Sequence, residues 1–472
     1  MDFSPQARIL SLGDTFYDRV APADFPQAVL RFRNDRAAAE VGLEGLSDAE
    51  WIDHFARFRP FEGSLPQPLA LRYHGHQFRH YNPDIGDGRG FTFAQMRDAD
   101  GRLMDFGTKG SGQTPWSRFG DGRLTLKGGV REVLATEMLE ALGVNTSRSF
   151  SLIETGESLH RGDEPSPTRS SVLVRLSYGH IRIGSFQRLA TLQDDAGLRA
   201  LTGYALAELY DEEAGADPAI QLYARVVDRT ARLAASYMVA GFVHGVLNSD
   251  NINVTGESFD YGPWRWTPYW DGTFTAAYFD QNGLYAFGRQ AQAIHWDVAQ
   301  LAIALSRIAE VDALAAQLDR FPAIYEAALV AGLLRRLGVE PRGEAEDVAL
   351  ADTMVRALQQ CTVTIDRFFF DWRGGTRRNA LPAYDHPVFQ PFVEAIAGYQ
   401  PAATTDHPYW SDAEPCSMHI EEVEAIWAPI AERDDWSAFT DKVAAIRRMG
   451  EAVQGSDGTK CRWNDGEGTA LA

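Results

Sequence analysis

The sequence predicts an α+β protein in which a small β-rich lobe precedes a larger helical one. Two observations carry this. Between Gly86 and Phe150 the signals run strand, turn, strand, helix. From about residue 190 onward apolar residues recur mainly at helical spacing.

In the first lobe, Phe91-Thr92-Phe93-Ala94-Gln95 alternates as a strand, and Asp98-Ala99-Asp100-Gly101 is a turn signal. A second strand follows from about Arg102 to Lys109. Val130, Val133, Leu134, Met138 and Leu142 then fall on one helical face, with Gly143 as a stop. In the second lobe, Leu222, Val226, Leu233 and Tyr237 mark one helix ending near Gly241. Periodicity returns from Ile294 to Ile308 and from Ala349 to Phe370. Arg373-Gly374-Gly375 reads as a hinge, and Asp457 to Ala472 as a frayed end. Pro22, Pro26, Pro60, Pro66 and Pro68 interrupt short apolar stretches between about 15 and 70, so that region reads as an extension wrapped on the core. The organisation expected is an extension over 1–70, a β-rich lobe over 71–190, a helical lobe over 191–375 and a divergent helical extension over 376–472.

The 65 acidic and 45 basic side chains give a net charge of −20. Such a surface repels phosphate backbones and anionic lipid, so neither nucleic acid nor a membrane is an expected partner. A site for a nucleotide must then be a local basic pocket. Cys361, Cys416 and Cys461 show no CxxC or metal-ligand spacing, which argues against a disulfide scaffold or a zinc site. With no signal core at the N-terminus and no long apolar run, a cytoplasmic location is expected.

The stretch Gly241 to Gly262 is the most informative. Taking Thr255-Gly256 as a two-residue turn pairs Val254 with Glu257, Ile252 with Phe259, and Asn251 with Asp260. Facing residues of such a pair lie about 5 Å apart. Asn251 and Asp260 then offer the few hard oxygens that Mg²⁺ takes from a protein, and Asp250 is free to accept a proton from a hydroxyl.

A phosphate end is legible upstream. Gly86-Asp87-Gly88-Arg89-Gly90 opens a strand where backbone N–H groups can approach phosphate. Lys109 closes the next strand, and Glu132 lies on the following helix. A strand lysine held by a helix glutamate is how protein-kinase-like folds aim a cation at phosphates, so the fold expected is kinase-like and bilobal. Arg175 and Arg182, set among apolar residues, need anionic partners, either phosphate or internal carboxylates. Asp105-Phe106-Gly107 spells a kinase metal motif but precedes Lys109, so the role goes to Asp260. His74 and His76 lack a third metal ligand. The tryptophans and tyrosines between Tyr261 and Trp270 are expected to pack or to border a protein-substrate surface.

Taken together, His76-Gln77-Phe78, Gly86-Asp87-Gly88-Arg89, Lys109-Gly110-Ser111-Gly112, Thr114 to Arg123, Arg131-Glu132, His180-Ile181-Arg182, His244-Gly245-Val246, Asp250-Asn251 and Asp260-Tyr261-Gly262-Pro263 resemble the SelO (YdiU-like) family over about residues 15 to 370. The resemblance implies a pseudokinase fold holding ATP in reversed orientation. It further implies transfer of AMP to Ser, Thr or Tyr hydroxyls of proteins. On its motifs, Asp250 is the proton acceptor, and Asn251 and Asp260 hold Mg²⁺, with Mn²⁺ as the alternative ion. Gly86, Gly88, Arg89, Lys109, Asp121, Gly122, Arg175 and Arg182 contact the nucleotide, with Asp260 beside them and Glu132 paired to Lys109. The chain departs from the family pattern at Arg79, where glycine is usual, and at Gln113, where arginine is usual. Phe274 to Asp280 keeps only the ends of a family stretch that often includes cysteine and histidine, and the cysteine frequent at the family's extreme C-terminus is missing. Ordinary phosphoryl transfer and a non-catalytic nucleotide-binding regulator are the competing readings.

Overall fold

The computed structural model describes residues 2–162 and 164–454, so the expectation of a frayed end from Asp457 falls outside the described residues. Within them the chain is a mixed α/β protein with a nine-stranded antiparallel sheet. Its strands come from the first 177 residues: β1 Ser4–Gln6, β2 Tyr17–Arg19, β3 Val29–Arg33, β4 Leu69–Leu71, β7 Thr92–Arg97, β8 Leu103–Lys109, β9 Leu124–Thr125, β10 Arg148–Leu159 and β11 Thr168–Ser177. The order is β2-β4-β7-β8-β11-β10-β3, with β1 on β7 and β9 on β11. A separate hairpin joins β5 Gly75–Gln77 to β6 His80–Asn82. Residues 1–70 thus do more than wrap the core, because they supply three strands of the sheet itself and the start of a fourth.

Asp98 makes the β7–β8 turn. Its Oδ1 accepts from the backbone N–H groups of Asp100 and Arg102, and Gly101 takes the positive φ of 78° that closes the turn. All seven residues of β8 are buried, which marks it as a central strand. Alternation along β11 separates two cores. Val172, Val174 and Leu176 face one way, onto Trp51 and Phe55 of the helix Asp48–Phe55 and onto Phe106 and Phe150. Trp51 lies flat on Phe150, with ring centroids 4.8 Å apart, and its indole N–H donates to Ser151 Oγ at 2.9 Å. Leu173 and Arg175 face the other way. In register, Leu173 pairs with Lys109 and Arg175 with Gly107, so both cations share one face.

Beyond β11 the chain is mainly helical. The helix Pro218–Ala240 begins on a proline and ends at Gly241 with φ 71°, buries Leu222, Val226, Leu233 and Tyr237, and fits the sequence expectation. The helix Leu126–Ala141 is N-capped by Thr125, whose side chain accepts from Gly128 N–H. The long helix expected from Ala349 to Phe370 is two, Glu344–Gln359 and Ile365–Asp371. The run Thr362-Val363-Thr364 disfavours continuation, and Thr364 caps the second helix by accepting from Arg367 N–H. The Arg373-Gly374-Gly375 segment is a tied junction rather than a hinge. Arg373 is buried and donates to the carbonyls of Arg335, Arg336 and Val453, closing the C-terminal ends of two helices. Trp264, Trp266 and Trp270 are buried, as packing residues. No described helix is long and apolar enough to cross a membrane.

The final described helix, Ser437–Gln454, returns to the helix Leu126–Ala141. Arg447 grips the buried Glu137 with two bonds, at 2.7 and 2.8 Å. Arg447→Ala leaves that carboxylate with the half-exposed Arg36, 3.3 Å away, and the Asn34 amide, 3.4 Å away. The expected cost is about 2 kcal/mol of unfolding free energy, read from the denaturant midpoint at an unchanged m-value.

Candidate active site

The face of the sheet bearing Lys109 and Arg175 looks into a cleft of about 760 Å³. Its opposite wall is the loop from Val246 to Gly262. Asp250, Asn251 and Asp260 line it together with Gly86, Gly88, Arg89, Lys109, Asp121, Gly122, Arg175 and Arg182. Of the residues expected to form the nucleotide and metal site, Glu132 alone is not in the wall.

Glu132 lies behind the wall, where it pairs with Lys109 Nζ. Both side chains are almost fully buried. Lys109 also reaches Asp260 Oδ1 at 3.0 Å, and Arg175 Nη1 reaches the same oxygen at 3.4 Å. Burial pushes the Asp260 carboxyl up, but Lys109, Arg175, Arg182 and Arg89 outweigh it and hold the group ionised, well below the usual carboxylate range. Arg182 donates to the Asp250 carbonyl at 3.0 Å and to Asp87 Oδ1 at 3.3 Å, with its guanidinium 4.3 Å from the Tyr73 ring centroid. The anionic partners that Arg175 and Arg182 require are therefore internal carboxylates. Even so, each Nε remains buried without a partner, which leaves donor capacity at the cleft.

The expected hairpin does not form. Val254 N–H donates to Ile181 O and Ile183 N–H to Ile252 O, both at 3.0 Å, while Ser258 exchanges bonds with Asn145 and Ser147. Each arm thus finds partners outside the segment, and Asn251 does not pair with Asp260. The turn survives one residue earlier, closed by Gly256 N–H to Asn253 O at 3.0 Å, with Gly256 at φ 69°. Asn251 and Asp260 nevertheless reach the same cleft. Asn251 spends its amide N–H on Val246 O at 2.9 Å, which leaves the amide oxygen to offer. One amide oxygen and one ionised carboxylate fit a hard cation such as Mg²⁺, which fills its shell with water and phosphate oxygens.

Asp250 sits in the short turn Ser249–Asn251. The turn is fixed by His76 N–H donating to Ser249 Oγ at 2.7 Å and Ser249 Oγ to Gln187 Oε1 at 2.6 Å. Asp250 Oδ2 meets Gln77 Nε2 at 3.5 Å, and Oδ1 is buried without a partner. Gly75 makes room for it, since a Cβ there would stand 2.7 Å from Oδ1. Burial, aided by Asp260 and opposed by Arg182, raises the Asp250 carboxyl to about 6. That suits a group that must take up a proton near neutral pH.

At the other end, the glycines of 86–90 are required by protein rather than by open space. A Cβ on Gly86 would lie 2.5 Å from the Trp116 indole, and one on Gly88 2.9 Å from the Trp116 carbonyl. Asp121 is half exposed and ion-paired with Arg161 at 2.8 Å, and Gly122 takes φ 70° beside it. Sequence reasoning gave no role to several residues here. Asp87 ties Leu71 N–H to Arg182. Asn248 Oδ1 accepts from Phe78 N–H and Tyr285 O–H; its place three residues before Asn251 was the available signal. Asp297 is buried near Asp250 with Oδ2 unpartnered, and burial and Asp250 push it well above the usual range. The Asp105 of the misplaced kinase motif is a buried strand residue, accepting from Gln95 Nε2 at 2.7 Å. His74 and His76 are engaged by Tyr81 O–H and Gln187.

The family model described as "Protein adenylyltransferase SelO" matches residues 1–388. The chain belongs to the SelO family. The "Protein nucleotidyltransferase YdiU" of Synechocystis sp. is 42% identical over 468 residues, 93% of this chain and 96% of that relative. Its counterpart from Gloeobacter violaceus is also 42% identical, over 95% of each chain. A more distant member, from Azotobacter vinelandii, is 35% identical over 77% of this chain and 74% of its own. Coverage of 93–95% carries the family similarity past residue 388, into the C-terminal helices.

The raised Asp250 carboxyl has a stability consequence. Its charged form costs free energy in the folded state, a cost absent below about pH 4, growing towards pH 6 and full above it. Asp250→Asn is therefore expected to stabilise the nucleotide-free protein at pH 7.5 by about 2 kcal/mol and to have little effect at pH 4. Denaturant unfolding at the two pH values checks this.

Proposed function

We propose that this chain transfers AMP from ATP to Ser, Thr or Tyr hydroxyls of proteins, with Mg²⁺ or Mn²⁺, in a kinase-like bilobal frame that holds ATP reversed. The supporting observation is that Asp250, Asn251 and Asp260 line one cleft with Arg89, Lys109, Arg175 and Arg182. The family description and the relatives' names agree with nucleotidyl transfer. In this reading 1–70 is an extension, 71–190 and 191–375 are the two lobes, and 376–472 is a further helical extension. The enzyme works in the cytoplasm, on proteins rather than nucleic acid or membranes.

In this reading Asp250 accepts the acceptor hydroxyl's proton. As that proton leaves, the hydroxyl oxygen bonds to the α-phosphorus, and the bond from that phosphorus to the bridging oxygen of the β-phosphate breaks. Pyrophosphate departs. Arg89, Lys109, Arg175 and Arg182 bind the β- and γ-phosphates and neutralise the charge that grows on them. Glu132 keeps Lys109 extended towards the cleft. Asn251 and Asp260 would hold the divalent ion, which supplies further neutralisation of phosphate charge. Trp116 and Gly86 pack together to keep the glycine segment against the cleft.

Incubating the protein with candidate acceptors and ATP labelled at the α- or the γ-phosphate tests this. Retention of α label alone is expected, whereas γ label on the product would establish phosphoryl transfer instead. Asp250→Ala should lower turnover about 10²- to 10⁴-fold. For the wild type, kcat/KM should rise with pH through about 6 as Asp250 loses its proton.

A further inference from the structure

Two exposed aromatic side chains, Tyr278 and Phe279, connect through Phe78 to Gln77, which lines the cleft. Tyr278 is 84% exposed and Phe279 47%, although burying such rings is ordinarily worth a few kcal/mol. They pack edge to face, with centroids 5.1 Å apart. Phe279 in turn meets Phe78 at 5.8 Å, and Phe78 meets Tyr285 at 5.0 Å.

This row is tied to Asp250 through Asn248 and Gln77. Phe78 N–H and Tyr285 O–H both donate to Asn248 Oδ1, two residues before Asp250, and Gln77, next to Phe78, contacts the Asp250 carboxylate. Phe78 and Arg79 are the two-residue connection of the β5–β6 hairpin, where Gln77 pairs with His80. Their φ values are 50° and 64°. A connection with positive φ at both central residues is ordinarily Asn-Gly. Two bulky L-residues held there are strained by roughly 1 kcal/mol or more each, and such strain collects at functional sites. Arg79 is exposed, lies 5.3 Å over the Trp296 ring and enters no ion pair among the described residues. Its charge is felt by the buried Asp297, yet its exposed guanidinium has no direct carboxylate contact, and on a chain of net charge −20 such a cation favours an acidic partner.

We infer that Phe78, Arg79, Tyr278 and Phe279 form the docking lip for the acceptor polypeptide, seating an apolar or aromatic side chain and an acidic residue that flank the hydroxyl presented to Asp250. The inference rests on the proposed AMP transfer and adds the chemistry by which its protein substrates are chosen. Remote contacts of this kind position the reacting hydroxyl, so their loss lowers kcat/KM for the acceptor and not the affinity for nucleotide.

The test uses the full chain with Mg²⁺, α-labelled ATP and a peptide library with fixed central Ser, Thr or Tyr and varied flanking positions. The wild type should favour an aromatic or aliphatic residue and Asp or Glu at defined flanking positions. Tyr278→Ala combined with Phe279→Ala should lower kcat/KM for the preferred peptides at least tenfold and flatten the apolar preference. Arg79→Glu should replace the acidic preference with a basic one. ATP affinity by calorimetry should stay within twofold in both variants, which confirms that they are folded. Labelling with no flanking preference, or with the wild-type preference in the variants, overturns the docking lip alone. If the wild type labels no peptide and does not label itself, the AMP-transfer reading beneath the inference fails as well.

Discussion

Asp260 and the cations around it form the interaction on which the rest of the site depends. Lys109 and Arg175 come from neighbouring strands, Arg182 from the start of the first helix after the sheet, and Asp260 from the loop that returns to face them. None of these charges could be buried alone, because an unpaired ion in a protein interior costs several kcal/mol. Together they are nearly compensated, and Glu132 takes the remaining reach of Lys109. The mutual attraction keeps sheet and loop in contact while leaving a basic lining open to solvent. An acidic chain can in this way hold a local site for a polyanion.

That arrangement needs a rigid frame on both sides. The N-terminal 70 residues complete the sheet and cover its outer face with Trp51, Phe55, Phe58 and Phe61. The C-terminal helix anchors the helix that carries Glu132, through Arg447 and Glu137. Segments distant in sequence from the cleft therefore fix the direction of Lys109. Asp250 is placed with equal care, since Gly75, Ser249 and Gln187 hold its turn while its own carboxylate is left under-bonded. A buried, partly unsatisfied carboxylate weakens the fold and is retained where chemistry needs it.

Much of this was legible in the sequence, for physical reasons that differ by residue. The β7–β8 hairpin and the helices Leu126–Ala141 and Pro218–Ala240 follow from local periodicity and caps, which act within a few residues. Asn251 and Asp260 were placed in one site by a hairpin that does not exist. Their meeting depends on Ile181, Ile183, Asn145 and Ser147, which are remote in sequence and invisible to turn rules. The same limit hid Asp87 and Asn248, whose roles arise only from long-range hydrogen bonds. The break before Ile365 was hidden in another way, because apolar spacing continues through a capping threonine. Gly86 and Gly88 read as room for phosphate, and they line the cleft, but the packing of Trp116 that also demands glycine there was not legible.

Calorimetric titration of ATP, with and without Mg²⁺, into the wild type and Asp260→Asn tests the central claim most directly. The account predicts that Mg²⁺ tightens ATP binding to the wild type and has little effect on the variant, which still binds metal-free ATP through Arg89, Lys109, Arg175 and Arg182. An equal Mg²⁺ effect in both proteins would contradict it.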